Sequence, residues 1–199
     1  MKNVFILNGH QKYPFSEGRL NASYTKKAID FFESQGCTVR VRTMEDSYEV
    51  NQEIENFKWA DLVFFQTPLN WMGVSWSFKK YIDEVFSAGM MGELSAGDGR
   101  SREEPKKNYG LGGKLKGKYM ISVTANAPEE AFRNPEETFF NGISEDELLN
   151  PMHLNFQWFG LKALPTFMSY DVMKNPQINQ DFKRFDQHLN LHFNTKSNE

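Results

Sequence analysis

Residues 61–86, DLVFFQTPLNWMGVSWSFKKYIDEVF, change their hydrophobic period half-way along. From 62 to 66 nearly every side chain is apolar, the pattern of a strand buried on both faces. From 76 to 86 the pattern becomes that of an amphipathic helix. Between them, Pro68-Leu69-Asn70-Trp71-Met72-Gly73 is too apolar for an ordinary turn. An apolar loop at the carboxyl end of a strand is either sealed by the rest of the protein or held open to grip something flat. The same strand-then-helix alternation extends in both directions. NVFILN reads as another buried strand, and NASYTKKAIDFFESQG as a helix with Tyr24, Ala28, Phe31 and Phe32 at helical spacing and Gly36 as its stop. TVRVRT, GKYMISVT and ALPTFMSYDV supply further strands, the last restricted by Pro165. VNQEIENFKWA, EDELLNPMHLNFQWFG and NQDFKRFDQHLNLHF read as helices.

Five strands alternating with helices predict an α/β fold. The form expected is a flavodoxin-like doubly wound five-stranded parallel sheet, order 2-1-3-4-5, with helices on both faces. Such a sheet takes its ligand at the carboxyl ends of the first, third and fourth strands. One domain is expected over residues 1–193, with a Gly- and charge-rich loop or hairpin inserted at about 95–117 and a fraying tail at 194–199. Hydrophobic residues make up 39% of the 199, 18 of them Phe, which excludes a disordered chain. A net charge of −3 gives no electrostatic reason to expect nucleic acid or an anionic membrane as partner. No apolar run approaches a membrane span, and the apolar stretch at 4–7 is too short for a signal peptide. The single cysteine, Cys37, excludes an intramolecular disulfide and fits a reducing cytoplasm.

Three segments fall at the expected ligand edge. The first, NGHQKYPFSEGRLNASYT, offers Ser16, Gly18, Asn21 and Ser23 beside a helix N-terminus, with Arg19 as a cationic contact. A phosphate cradle and a plain N-cap both fit it. The second is the apolar loop, where Trp71 and Met72 offer a surface and the backbone of residues 69–73 offers hydrogen bonds to a ring edge. A core plug or a subunit contact fits as well. The third, TANAP at 124–128, is small enough for close backbone approach, or is simply a turn. Neither a Walker lysine nor G-x-G-x-x-G follows the first strand. His188 and His192 stand one helical turn apart without an evident third ligand, and no metal is expected. His10 is open between a ligand contact and a half-buried, satisfied residue.

FSEGRLN, NFKWAD, WMGVSWSFKKYIDEVF, DGRSREEPKKNYG, NAPEEAF and LPTF together resemble the modulator of drug activity B family of NADPH:quinone reductases. The resemblance covers nearly the whole chain. It implies FAD as cofactor, NADPH as electron donor and a quinone as substrate. It implies that Ser16, Glu17, Gly18, Arg19, Leu20, Asn21, Ala22 and Ser23 hold the FAD diphosphate region. Pro68, Leu69, Asn70 and Trp71 would lie along the isoalloxazine, and Thr124, Ala125, Asn126 and Ala127 on its pyrimidine side. Tyr109 would reach the flavin from the long loop and is a candidate proton donor. A homodimer with its active sites at the interface is implied too. The expected reaction is a two-electron, ping-pong hydride transfer that protects against quinone redox cycling. An azo- or nitro-reductase, and a flavodoxin-type electron carrier without NADPH activity, are the alternatives.

Overall fold

The computed structural model describes residues 1–136 and 139–193, so the tail at 194–199 lies outside the described residues. The chain runs β1 (Asn3–Asn8), α1 (Arg19–Ser34), β2 (Thr38–Thr43), α2 (Val50–Trp59), β3 (Leu62–Pro68) and α3 (Trp76–Tyr81). A π-helical turn (Ile82–Phe86) then leads into α4 (Ser87–Gly89). After the long loop come β4 (Lys118–Thr124), a 3-10 turn (Glu129–Ala131), α5 (Glu145–Leu148), α6 (Asn150–Trp158), β5 (Lys162–Ala163), β6 (Phe167–Ser169) and α7 (Ile178–Phe193). The strands pair in parallel in the order β2-β1-β3-β4, and β5 and β6 both pair with β4. This is the expected doubly wound sheet with its fifth position divided in two. Pro165 explains the division: it has no N–H to give the ladder, and it restricts the residue before it. Leu164 still donates to the Tyr119 carbonyl at 2.8 Å. Pro151 likewise divides the helix expected over EDELLNPMHLNFQWFG. α5 starts on a Ser144–Glu147 capping box, and α6 begins afresh with the proline in its first turn.

The continuous apolar runs are explained by burial on two sides. In β3, Val63 and Phe65 pack with Ile54 and Phe57 of α2, Phe78 of α3 and Phe156 of α6. Leu62 and Phe64 pack with Tyr24, Ala28 and Phe32 of α1 and with Phe185 and Leu189 of α7. A buried ion pair links three elements on the first face. Glu53 of α2 is fully buried and accepts from Arg42 of β2 through Nε (3.1 Å) and Nη2 (2.8 Å), and from Tyr81 Oη of α3 (2.8 Å). The loop between Gly89 and β4 folds on itself through antiparallel bridges, Met91 to Ala96 and Ser95 to Gly113. It docks at the amino end of the sheet, where Leu115 N–H donates to the Phe159 carbonyl at 2.9 Å. Among the described residues no helix is long and apolar enough to cross a membrane.

Candidate functional site

Backbone hydrogen bonds gather the carboxyl ends of the strands into one edge. Gly9 N–H donates to the Gln66 carbonyl at 2.8 Å, Leu69 N–H to Thr124 at 2.9 Å and Ala125 N–H to Ser169 at 2.8 Å. Ser75 Oγ, which caps α3, also donates to the Gly9 carbonyl at 2.7 Å. The three segments read from the sequence therefore share one edge, after β1, β3 and β4.

In the first segment the plain capping expectation does not hold. Gly18 occupies the N-cap of α1 at φ 75°, and no side chain caps the helix. Ser16 pairs through its backbone with Tyr13, and Ser23 Oγ donates to the Arg19 carbonyl at 2.9 Å. Asn21 is buried, with its side chain turned inward to Asn8 and Gln66. What remains is the helix terminus itself: the N–H groups of Arg19, Leu20 and Asn21 have no partner among the described residues, and no acidic residue stands in the first turn. A 16-residue helix that starts this way favours an anion. Arg19 and Glu17 pair at 3.4 Å at the surface, Leu20 packs toward the core, and Ala22 is exposed. His10 is buried beneath this turn, and a Cβ at Gly18 would overlap its ring. Burial holds the His10 imidazole below its usual pKa, so it supports the turn as a neutral ring.

In the second segment, Asn70 and Gly73 exchange backbone hydrogen bonds of 3.0 and 2.9 Å around a two-residue turn. Trp71 (φ 47°) and Met72 (φ 63°) both lie in the left-handed region, where Asn-Gly is usual and bulky side chains are strained. The N–H groups of Leu69, Asn70 and Gly73 are spent inside the fold. The hydrogen-bonding edge expected across 69–73 is thus narrowed to the N–H groups of Trp71 and Met72. Trp71 is 97% exposed, Trp76 61% and Phe15 84%. Asn70 adds a buried Nδ2 with no partner.

In the third segment, Thr124 and Ala125 are buried, and Ala125 N–H is committed to Ser169, so Asn126 and Ala127 present the free backbone donors. Tyr109 does not join this edge within the chain. It packs edge-on against Trp158 at 5.2 Å, at the end of α6 and at the opposite end of the sheet, with the Arg100 guanidinium 5.4 Å from its ring centre. Its loop is held there by the contacts of Gly110 with Trp158 and of Gly113 with Phe159 and Gly160. His188 Nε2 lies 3.0 Å from the Pro165 carbonyl, and the described residues contain no group of three metal-ligating side chains.

The flavodoxin-like fold family matches residues 2–190. NADPH:quinone oxidoreductase MdaB of Haemophilus influenzae is 41% identical over 188 residues, 94% of this chain and 97% of that protein. The chain belongs to the flavodoxin-like family. Its likeness to MdaB places it in the modulator of drug activity B group, and it is an oxidoreductase. Among solved structures, a candidate quinone reductase from Klebsiella pneumoniae superposes with a TM-score of 0.75 at 20% identity, covering 97% of this chain and 86% of that one. General stress protein 14 of Treponema denticola, solved with FMN, gives 0.62 at 17% identity, covering 96% and 97%. At such identities the two structures show the fold alone.

The edge has the donors and surface that a flavin requires. An uncapped helix start suits a phosphate, an exposed indole suits a ring plane, and unpaired N–H groups at 71, 72, 126 and 127 suit the polar rim of an isoalloxazine. The residue missed in the sequence is Gln66. It reads as one more position in a buried strand, and only its partners distinguish it.

Proposed function

We propose that this chain is an FAD-dependent NADPH:quinone oxidoreductase that works as a homodimer in the cytoplasm. The observation that carries the reading is the exposed Trp71, held in a strained turn between an uncapped helix start and the Asn126–Ala127 backbone. A flavin held there would supply the chemistry of two-electron hydride transfer between NADPH and a quinone. The first turn of α1 would hold the diphosphate through the N–H groups of residues 19–21. Trp71 would give the ring a face to lie on and shield it from water, while its own N–H and that of Met72 point to the ring edge. Asn126 and Ala127 would donate to the pyrimidine side, where negative charge collects on reduction. Donor and acceptor would use the same slot in turn, and the kinetics would then be ping-pong.

Tyr109 fits this reading only from a second chain. The exposed Phe15, Trp71 and Trp76 are large apolar side chains of the kind that a partner covers. A two-fold dimer would bring the loop of each chain to the edge of the other. The deciding experiment is the visible spectrum of protein purified without added cofactor, with the chromophore identified after heat release. FAD that bleaches fully on anaerobic NADPH and is reoxidised by a quinone is the expected result. FMN that does not respond to NADPH would replace the enzyme with an electron carrier, and a colourless protein that cannot be reconstituted would remove the flavin reading.

A further inference from the structure

Gln66 lies beneath the candidate site, fully buried on β3. Its amide ends a chain of hydrogen bonds whose direction is fixed. His10 N–H, a donor that cannot reverse, donates to Asn8 Oδ1 at 3.3 Å. Asn8 therefore presents its oxygen, and Asn21 Nδ2 donates to that same oxygen. This turns Asn21 Oδ1 toward Gln66, whose Nε2 donates to it at 3.0 Å. Gln66 Oε1 is left as a buried acceptor without a partner. Across the β3–β4 register, Ser122 Oγ is buried and unpaired as well. Three amides thus join β1, the turn after it, the first turn of α1 and β3.

We propose that Gln66 is a positioning residue for the phosphate-binding turn and acts through Asn21. Asn21 is the third residue of α1, and its backbone N–H is one of the three unpaired donors at the helix start. Nothing caps that start, so the side chain of Asn21 is its tether to the sheet. Stability does not explain Gln66. In a strand buried on both faces an apolar residue packs as well, whereas a buried amide with one unpaired oxygen carries a desolvation cost. The residue becomes intelligible once its effect on Asn21 is counted.

The proposal rests on the flavin reading, and its test separates the two. Flavin-free protein is titrated with riboflavin, FMN and FAD while flavin fluorescence is followed. Gln66→Leu removes the donor to Asn21. It should weaken FMN and FAD by about tenfold, a loss of roughly 1.4 kcal/mol, and leave riboflavin, which has no phosphate, within about twofold of wild type. Gln66→Met, unbranched like glutamine, is the second variant and should behave alike. Riboflavin weakened as steeply as FMN, or all three unchanged, overturns the positioning role while leaving the flavin site standing. If neither variant folds, Gln66 belongs to the fold and the proposal falls. A wild type that binds none of the three overturns the flavin reading and this proposal together.

Discussion

Trp71→Gly should make the flavin-free protein more stable and a poorer enzyme. The left-handed backbone at φ 47° costs a non-glycine residue roughly 1–2 kcal/mol. Glycine adopts it freely, but the greater freedom of its unfolded state returns about 0.4–1 kcal/mol. The side chain is 97% exposed, so its removal forfeits almost no burial. The net gain is about 0.5–1 kcal/mol, or a rise of about 1–4 °C in Tm for a chain of this size. Equilibrium urea unfolding of flavin-free wild type and variant measures it. Flavin affinity should move the other way, since loss of an aromatic platform typically costs about 1–3 kcal/mol. A flavin-free Trp71→Gly protein less stable than wild type would refute the strain argument. Unchanged flavin affinity would refute the role given to the indole. Met72→Gly, at φ 63°, serves as a second position where the strain term applies with less exposed surface at stake.

Arg42→Met should destabilise the protein by roughly 3–5 kcal/mol, because it strands the fully buried Glu53 carboxylate without its cation. A loss below about 1 kcal/mol in urea unfolding would mean that the two remaining donors to Glu53, Tyr81 Oη (2.8 Å) and Asn56 Nδ2 (3.2 Å), suffice to hold that charge. Burial depresses both the His10 and the His188 pKa below 6.5, so on acidification the unfolded chain takes up protons first. The contribution of these two histidines should therefore be level well above pH 6.5 and be lost as the pH drops through it; a His10→Asn curve that declines as steeply as wild type would remove His10 from that effect. Activity per chain should fall on dilution into the range where the dimer dissociates, as followed by light scattering, and activity that persists in the monomer would leave Tyr109 without a role at the site.

The fold could be read from the sequence because burial on two faces leaves a mark that no loop or surface helix imitates. LVFF at 62–65 is fully buried, and its alternate residues enter two different cores, so every position had to be apolar. The division of the fifth strand was signalled by Pro165 alone. The three candidate segments meet at the edge expected of them, while the partners of their residues follow from the fold. Ser16 and Asn21 have the chemistry of capping residues, yet Gly18 takes the cap and Asn21 turns inward. Composition cannot show which donors a fold has already used, so the backbone of 69–73 promised more than its two free N–H groups. Nothing in NWMG announces a turn with two left-handed residues, since the usual Asn-Gly signal is absent from its centre. Gln66 carries no local signal at all.

Tyr109 shows why the rest was out of reach. Its position depends on contacts between residues distant in sequence: Gly110 on Trp158, and Gly113 on Phe159 and Gly160. A Cβ at Gly113 would come within 2.2 Å of the Gly160 nitrogen, so the loop backbone lies directly against the turn after α6 at the amino end of the sheet. The length of the parallel sheet separates that end from the carboxyl edge. A flavin contact from Tyr109 and a flavin at the Trp71 edge are compatible only if the two belong to different chains. Two-fold symmetry then makes both sites composite at once. On the proposed reading, the exposed indoles at one end and the aromatic loop at the other would be two halves of the same requirement, and the apolar loop at a strand's end would stay open for a flavin and a second copy of the chain.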